Sequence, residues 1–312
     1  MPFLGRNVIV LAKIETTYGT DSVPTGAANA ILCMEADLQP LVGGLKDRTL
    51  INTFMGGNAA LPGAFNATLR LKVEMAGPGA AGSAAPYGPL LRACARSETL
   101  VASTTATYNP VSTAHEAVSI YFSLEGVRHR LLGVRGDCTM MFALDAVPYF
   151  EFNLTGLVQT VADVAAPTPT YTGFTKPLIV SNANTTPFTL HGYSAVMSEM
   201  SINIGNNVIF RSLVGGAESV LIVGRNTTGS ISVEAVLVAT KDWFGIAKAG
   251  TVGAIDITHG TAAGNKVQIT SSGVQLQNPR YVDQNGVMML QMDMLFTPVA
   301  AAGNDEIAIV VK

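Results

Sequence analysis

Apolar and polar residues alternate along several parts of the chain, and this period of two predicts β-strands with one buried face. The segments with this alternation are 68–75, 118–125, 149–154, 200–204, 231–237 and 290–296. Successive side chains of a strand point to opposite faces, so each predicted strand has a dry face and a polar face. Antiparallel sheets commonly leave one face in water, whereas parallel strands are buried on both. The predicted fold class is therefore mainly β, with antiparallel strands.

Short helices and a tight turn interrupt this pattern. Residues 89–96 begin with Pro89, a residue favoured in the first turn of a helix. Residues 241–249 precede Gly250, and glycine is typical of a helix end. The dipeptide Asn285-Gly286 predicts a hairpin before the last alternating segment. We therefore expect a strand-rich fold with short flanking helices.

The order of predicted elements occurs twice, which indicates two related halves. Each half reads strand, strand, short helix and further strands, and each ends on a long strand, at 148–158 in the first half and 287–297 in the second. The Ala-, Thr- and Pro-rich segment between them is the natural connection. The predicted division is an amino-terminal arm at 1–30, a first domain at 31–160, a linker at 161–192 and a second domain at 193–312.

The composition favours a protein that covers its surface with copies of itself. Charged residues make up 13% of the chain, about half the usual ~25%. The formal net charge is −3, which argues against a basic surface that binds nucleic acid. No apolar run is long enough to suggest a membrane span, and the amino terminus does not resemble a secretory leader. Cys33, Cys94 and Cys138 are far apart and read as small buried residues of a reducing compartment.

Motifs that could carry chemistry have simpler interpretations here. The run from Gly77 to Gly82 matches a nucleotide-binding glycine pattern, but the predicted helix does not open on it, so we expect a flexible loop. Arg135-Gly136-Asp137 is interpreted as a hairpin turn. The four histidines are scattered, with no zinc-binding spacing, and no G-x-S-x-G sequence occurs. We expect no catalytic residue, metal or cofactor.

Four acidic residues occupy polar faces of predicted strands. They are Glu74, Glu151, Glu234 and Asp293. The simple interpretation is an ordinary solvated face. The functional one is the wall of a channel, because an acidic and neutral wall repels phosphates and lets DNA pass without sticking. Salt would confine that repulsion to about 8–10 Å.

The chain resembles the siphophage tail tube, or major tail, proteins from near residue 10 to its end. The phrases that carry the resemblance are 15–21 (ETTYGTD), 23–31 (VPTGAANAI), 87–94 (YGPLLRAC), 228–231 (TGSI), 264–267 (GNKV), 278–281 (NPRY) and 303–307 (GNDEI). Each phrase is short, but their order is specific. Ala95 departs from the glycine expected after the helix, which affects only that turn.

The resemblance implies a pair of packed antiparallel sheets, a β-sandwich, whose inner sheets close into one barrel when subunits form a ring. Rings then stack into a virion tail tube, assembled in the bacterial cytoplasm, whose lumen holds the tape-measure protein and then double-stranded DNA without specific binding. If both halves are tube domains, three chains make a pseudo-six-fold ring. If one half supplies the barrel strands, six chains are needed. Tubes of contractile phages and of type VI secretion are relatives in fold.

Two segments are predicted to join successive rings. Residues 15–31, with Tyr18, Gly19, Pro24, Thr25 and Gly26, are expected to form an extended arm, so deletion of residues 2–30 should leave a folded protein that does not polymerise. Loop 40–64 is rich in glycine and apolar residues, and its candidate contacts are Leu41 and Val42.

Other functions remain open at this point. Another self-assembling phage component, such as a tail terminator or a capsid decoration protein, would form small closed oligomers. An enzyme or ligand-binding β-sandwich would remain a small species with a polar pocket.

Overall fold

Antiparallel strands dominate the computed structural model, which describes residues 4–53 and 55–312. The strands are β1 Val8–Ile14, β2 Ala30–Ile31, β3 Glu35–Val42, β4 Leu45–Lys46, β5 Leu61–Pro62, β6 Asn66–Glu74, β7 Thr99–Val101, β8 Thr105–Tyr108, β9 Val118–Leu124, β10 Val127–Ala143, β11 Tyr149–Val158, β12 Ala162–Asp163, β13 Thr185–Leu190, β14 Met197–Asn203, β15 Asn206–Arg211, β16 Ser219–Arg225, β17 Thr228–Glu234, β18 Val252–His259, β19 Val267–Gln284, β20 Val287–Phe296 and β21 Ala308–Val311. The helices are α1 Gly26–Asn29, α2 Gly88–Ala93 and α3 Trp243–Ala249. The mainly β, antiparallel fold class is confirmed.

The alternating segments are strands, as predicted. In β6 every second residue is buried, from Ala67 to Val73, while the residues between them are partly exposed. The Asn285-Gly286 hairpin is also confirmed, because both residues have the positive φ of a tight turn, 55° and 84°. A period of two predicts these strands well because it depends only on which face of the sheet is dry.

The turn predicted at Arg135-Gly136-Asp137 is wrong. These residues lie inside β10, opposite β11, with Gly136 paired to Leu154. A Cβ added to Gly136 would come within 2.4 Å of the Asn153 carbonyl oxygen. Glycine is therefore required here by close approach of two strands, and not by a turn.

Eight strands form one continuous run across the molecule. Their order is β3, β6, β11, β10, β14, β17, β20 and β19. The middle of this run is the pairing of β10 with β14, which joins the first half of the chain to the second. One face of the run covers the core, where Phe150, Phe152 and Met200 are buried. The other face carries most of the run's polar side chains.

The order of pairings is the same in both halves. In the first, β1, β9, β10, β11, β6 and β3 are successive neighbours. In the second, β13, β18, β19, β20, β17 and β14 are successive neighbours. The helices correspond as well, since α2 follows β6 and α3 follows β17.

The predicted helices occur at the expected places. Helix α2 begins at Gly88, with Pro89 in its first turn, and buries Leu90 and Leu91. The loop from Gly77 to Gly82 thus ends before the helix, as the sequence suggested, although it is held by packing: the Gly79 N–H donates to the Gly264 carbonyl at 2.9 Å. Helix α3 is anchored by the buried Trp243 and ends at Gly250 in the left-handed conformation.

The segment 161–192 is tied to both halves of the chain. Its residues form β12, which pairs with β10, and β13, which pairs with β18. The Val180 N–H donates to the Ala146 carbonyl at 2.8 Å. The proposed domain boundaries at 31–160 and 193–312 stay a prediction, with a connection that is itself packed.

Acidification is expected to loosen the end of this connection through His259. The ring is buried, contacts Thr185 Oγ1 at 2.9 Å and lies 3.1 Å from the Leu178 carbonyl oxygen. Burial lowers the pKa of His259 below its ordinary value. The unfolded chain therefore binds more protons below about pH 6.5, and the stability that the neutral ring contributes is lost as pH falls through that value.

The comparison variant is His259→Gln, which cannot titrate. Between about pH 7 and about pH 5, the melting temperature of the parent should fall more steeply than that of the variant. Burial also lowers the pKa values of three other histidines, His115, His129 and His191. The melting temperature of the variant should therefore still fall with pH, but less steeply than that of the parent. Equal slopes would contradict a role for His259.

Candidate assembly surface

The four predicted channel-wall residues lie on one face of the eight-stranded run. Glu74 and Asp293 belong to the same row across the strands, through Tyr149, Met141, Ser201 and Ser230. Glu151 lies in the adjoining row, opposite Thr139. Glu234 is opposite Met289 on the same face. Directly opposed residues of antiparallel strands share a face, so the register alone brings the four together on one surface.

Ion pairs on this face neutralise part of its acidic charge. Arg70 donates to both carboxylate oxygens of Glu151 at 2.7 and 3.0 Å. The Lys72 ammonium lies 2.6 Å from Glu35, and this contact lowers the pKa of Glu35. Asp293 faces Arg280 at 3.4 Å. Within the described residues, Glu74 and Glu234 have no ion-pair partner, so the surface mixes paired and uncompensated carboxylates.

The eight-stranded run has two open edges. Strand β3 pairs with β6 on one side and with no described strand on the other. Residues 280–284 of β19 pair with β20 only, as far as the described chain extends. Apart from the separate two-stranded sheets β4-β5 and β15-β16, the strands branch into one connected system, but no described pairing joins β3 to the 280–284 end. Unpaired strand edges attract further strands, so these two are candidates for contacts between copies.

The amino-terminal segment is packed onto its own chain more closely than predicted. Strand β1 pairs with β9 along its whole length and buries Val10, Leu11 and Ala12. The expectation that residues 2–30 can be deleted from a folded protein is therefore wrong, because deletion would strip a strand from the sheet. Residues 15–31 are also not one extended arm, since α1 and β2 lie within them.

The predicted contact residues of this segment have partners within the molecule. The Val220 N–H donates to the Tyr18 hydroxyl at 2.6 Å, and Gly19 N–H donates to Glu15 at 2.7 Å. Pro24 is buried, and Thr25 N–H donates to the Asn29 side chain at 3.0 Å. A Cβ on Gly26 would lie 2.3 Å from the Thr168 carbonyl oxygen. Their role between rings stays a prediction, and their visible role is to fix this segment in place.

The predicted loop 40–64 is the more exposed of the two predicted segments, although its first residues, up to Val42, belong to strand β3 and not to a loop. Leu41 is 63% exposed and Val42 is half-buried. Beyond them, β4 and β5 pair as a short hairpin whose Leu45 and Leu61 are exposed, and Ile51 near its tip is fully exposed. These apolar side chains lack cover from the described residues, so they form a candidate contact surface.

Two buried polar clusters escaped prediction from the sequence. The Glu15 carboxylate accepts hydrogen bonds from Ser119, Gly133 and Gly19. Glu306 is buried against Arg225 near the buried Arg96. Each cluster joins segments more than 75 residues apart in the chain, so no local pattern could have revealed it.

The described part of the chain offers no metal site. Among residues 4–53 and 55–312, no group of three or more His, Cys, Asp or Glu side chains could hold an ion. No described helix has both the length and the apolar character needed to cross a membrane.

Comparison with known protein families identifies the family of the chain. A family model described as phage tail tube protein matches residues 5–302. No curated protein matches the chain.

Proposed function

Because the chain belongs to the phage tail tube protein family, we propose that it is the structural subunit of a bacteriophage tail tube, in which stacked rings enclose a lumen that conducts double-stranded DNA. The family is structural, and the role is assembly and not catalysis. The proposed location is the tail of the virion.

The observation that carries this proposal is the eight-stranded run with one polar face and two open edges. A sheet of this kind is unstable as an isolated surface because its edges invite uncontrolled pairing. Closing the edges around a ring of copies satisfies their backbone groups and turns the polar face toward the hole. The low share of charged residues, 13%, fits a particle whose sides are covered by further copies.

The repeated order of pairings favours a ring of three chains. Each chain supplies two four-stranded units, β3-β6-β11-β10 and β14-β17-β20-β19, already joined at β10 and β14. Three such chains form a pseudo-six-fold ring, whereas six chains would give a much wider one. A true hexamer would follow if only one of the two units took part in the barrel.

The proposed lumen is the face that carries Glu74, Glu151, Glu234 and Asp293. Its uncompensated carboxylates repel phosphates, while Arg70 and Arg280 are held by carboxylate partners and offer little free positive charge. This face would therefore offer no specific binding site to passing DNA, or to a tape-measure protein that occupies the lumen before the DNA.

Loop 40–64 is the proposed contact between successive rings. Ile51→Ser combined with Leu50→Ser removes two exposed apolar side chains of this loop. We expect the double variant to form single rings or short stacks, with long tubes greatly reduced, because ring contacts lose apolar burial while the sheet is untouched. Negative-stain electron microscopy measures the tube length.

The matched control is Val299→Ser, a similarly exposed apolar residue in another loop. It should leave tube length unchanged. Long tubes from the double variant, at the concentration used for the parent, would exclude this loop from stacking.

The proposal itself is tested by electron microscopy of the purified full-length protein at high concentration. Hollow tubes with a regular axial repeat are expected. Small closed oligomers of uniform size would instead favour a decoration or terminator protein. A monomer at all concentrations would point to a ligand-binding or enzymatic sandwich.

A further inference from the structure

The contact between the two halves shows how one sheet unit joins the next. Residues 139–143 of β10 pair antiparallel with residues 199–203 of β14, in the register Thr139 opposite Asn203 and Ala143 opposite Glu199. Backbone bonds continue the contact at both ends, from Ile204 N–H to the Cys138 carbonyl and from Leu144 N–H to the Ser198 carbonyl, each 2.9 Å long. This joint buries apolar side chains from both strands, namely Met140, Phe142, Met200 and Ile202.

The strand pairings define which residues of the two halves correspond. Glu74 ends β6 opposite Tyr149, and Glu234 ends β17 opposite Met289, so these positions are equivalent. Two residues before each, Lys72 is opposite Glu35 and Ser232 is opposite Glu199. Residues 35–39 of β3 therefore occupy the place of residues 199–203.

The same reasoning places the other edge. Tyr149 is opposite Met141, and Met289 is opposite Val282. Residues 280–284 of β19 thus occupy the place of residues 139–143. In the first half, residues 139–143 pair with β14 of the second half. In the second half, the equivalent residues 280–284 form one of the two open edges.

From this correspondence we propose that residues 280–284 of one copy pair antiparallel with residues 35–39 of a second copy, with Arg280 opposite Gln39 and Gln284 opposite Glu35. The proposal rests on the proposed ring and names its lateral contact residue by residue. It makes the contact between copies a repeat of the contact within one copy.

The side chains at the two edges fit this register. Tyr281 takes the place of Met140 and is 58% exposed in the single chain, where its ring packs on Phe244 with centroids 5.7 Å apart. Its predicted partner is Leu38, which takes the place of Ile202 and remains half-buried. Pairing would cover both, as the equivalent pair is covered at the internal joint.

The charges and the backbone donors at the two edges agree with the proposed register. Arg280 would lie diagonal to Asp37 of the second copy, a distance that long side chains can span. Pro40 takes the place of Ile204, and proline has no N–H to donate. The contact between copies therefore ends at residue 39, one bond earlier than the internal joint.

The hydrogen-bond pattern identifies the best residues for a chemical test. The Phe296 N–H donates to the Thr227 carbonyl and therefore points to β17. Backbone groups alternate in direction along a strand, so the register of β20 with its two neighbours points the Val282 N–H to β20 and the Tyr281 N–H to the open edge. Val282 and Asp37 would thus be a non-hydrogen-bonded pair, with Cα atoms about 4.5 Å apart. That separation is within the range that a disulfide bridges.

The experiment is oxidation of assembled Val282→Cys/Asp37→Cys protein, followed by non-reducing gel electrophoresis. We expect loss of most of the monomer band and a covalent ladder that ends at the number of chains in one ring. The single variants Val282→Cys and Asp37→Cys control for the native cysteines. The pair Val282→Cys/Ala36→Cys places the second thiol on the opposite face and should remain monomeric on the gel.

The outcomes separate the register from the proposed function. Tubes that contain no 282–37 disulfide, or that give more product with Val282→Cys/Glu35→Cys, would overturn the register while leaving the tube intact. Absence of both tubes and cross-links, with the protein folded, would overturn the proposed function together with this contact.

Discussion

Glu306→Ala is expected to lower the free energy of unfolding by about 3–5 kcal/mol. Glu306 is 6% exposed, and its carboxylate accepts a hydrogen bond from the Arg225 guanidinium. Arg225 also donates to the Val111 carbonyl at 2.9 Å and to the Asn304 side chain at 3.1 Å. Removing the carboxylate leaves this guanidinium in the interior without its counter-charge.

A second buried cation makes this loss larger than that of an ordinary ion pair. Arg96 is 1% exposed and donates to the Ile307 carbonyl at 2.9 Å. The pKa of Arg96 is lowered to about 10, mainly by burial and then by the positive charge of Arg225, and Glu306 is the carboxylate that opposes both effects. Without Glu306, the buried Arg96 and the mostly buried Arg225 repel each other without that carboxylate to offset the repulsion.

Two variants show whether charge is the cause. Glu306→Gln keeps an acceptor for Arg225 without the charge and should be destabilised less than Glu306→Ala. Glu218→Ala removes an exposed carboxylate that accepts a hydrogen bond from the exposed Ser212, and it should unfold like the parent. Urea denaturation at low protein concentration measures the free energy of unfolding of the three variants. A loss below about 1 kcal/mol for Glu306→Ala, the size of an exposed pair, would contradict the argument.

The sequence predicted the strands because their period is local. In β6 the dry face of Leu69, Leu71 and Val73 is visible in nine residues of sequence. Strand β1 lies in the segment predicted to be an arm, because the residues that follow it are typical of a loop. Its continuous apolar run, Val8 to Ala12, was the available pattern, since such runs are typical of strands buried on both faces.

The shared face of the acidic residues could be predicted, but their partners could not. Alternation places Glu74 and Glu151 on polar faces whatever the order of strands. The bond between Arg70 and Glu151, however, depends on the register of β6 against β11, which joins residues 81 apart in the chain. For the same reason the joint of β10 with β14, on which the lateral contact is based, has no counterpart in any sequence pattern.

Ala36→Pro is expected to prevent ring and tube formation at the concentration that suffices for the parent, while leaving the subunit folded. The Met75 N–H donates to the Pro148 carbonyl and therefore points towards β11. Backbone groups alternate in direction along a strand, so the Leu71 N–H, four residues earlier in β6, also points to β11. Leu71 is opposite Ala36, so the Ala36 N–H points away from β6 to the open edge. Proline is tolerated on an edge strand where the lost N–H faces outward.

The Ala36→Pro substitution weakens the contact between copies and not the fold of the subunit. The proline removes the hydrogen bond that Ala36 would donate to Asp283 of the neighbouring copy, and it leaves that carbonyl buried without a donor. An unsatisfied buried group costs about 1–3 kcal/mol, which weakens each contact by roughly five- to more than a hundredfold. Because every joint in the ring carries the same defect, the concentration needed for assembly should rise by at least about tenfold.

Neighbouring substitutions supply the controls. Ala36→Ser keeps the N–H and should assemble like the parent. Asp37→Pro, one residue further, removes an N–H that points to β6, so it should lower the melting temperature of the subunit itself. Circular dichroism follows the fold, and sedimentation with electron microscopy follows assembly. Tubes formed by Ala36→Pro at the concentration that suffices for the parent would show that β3 is not an edge through which copies join.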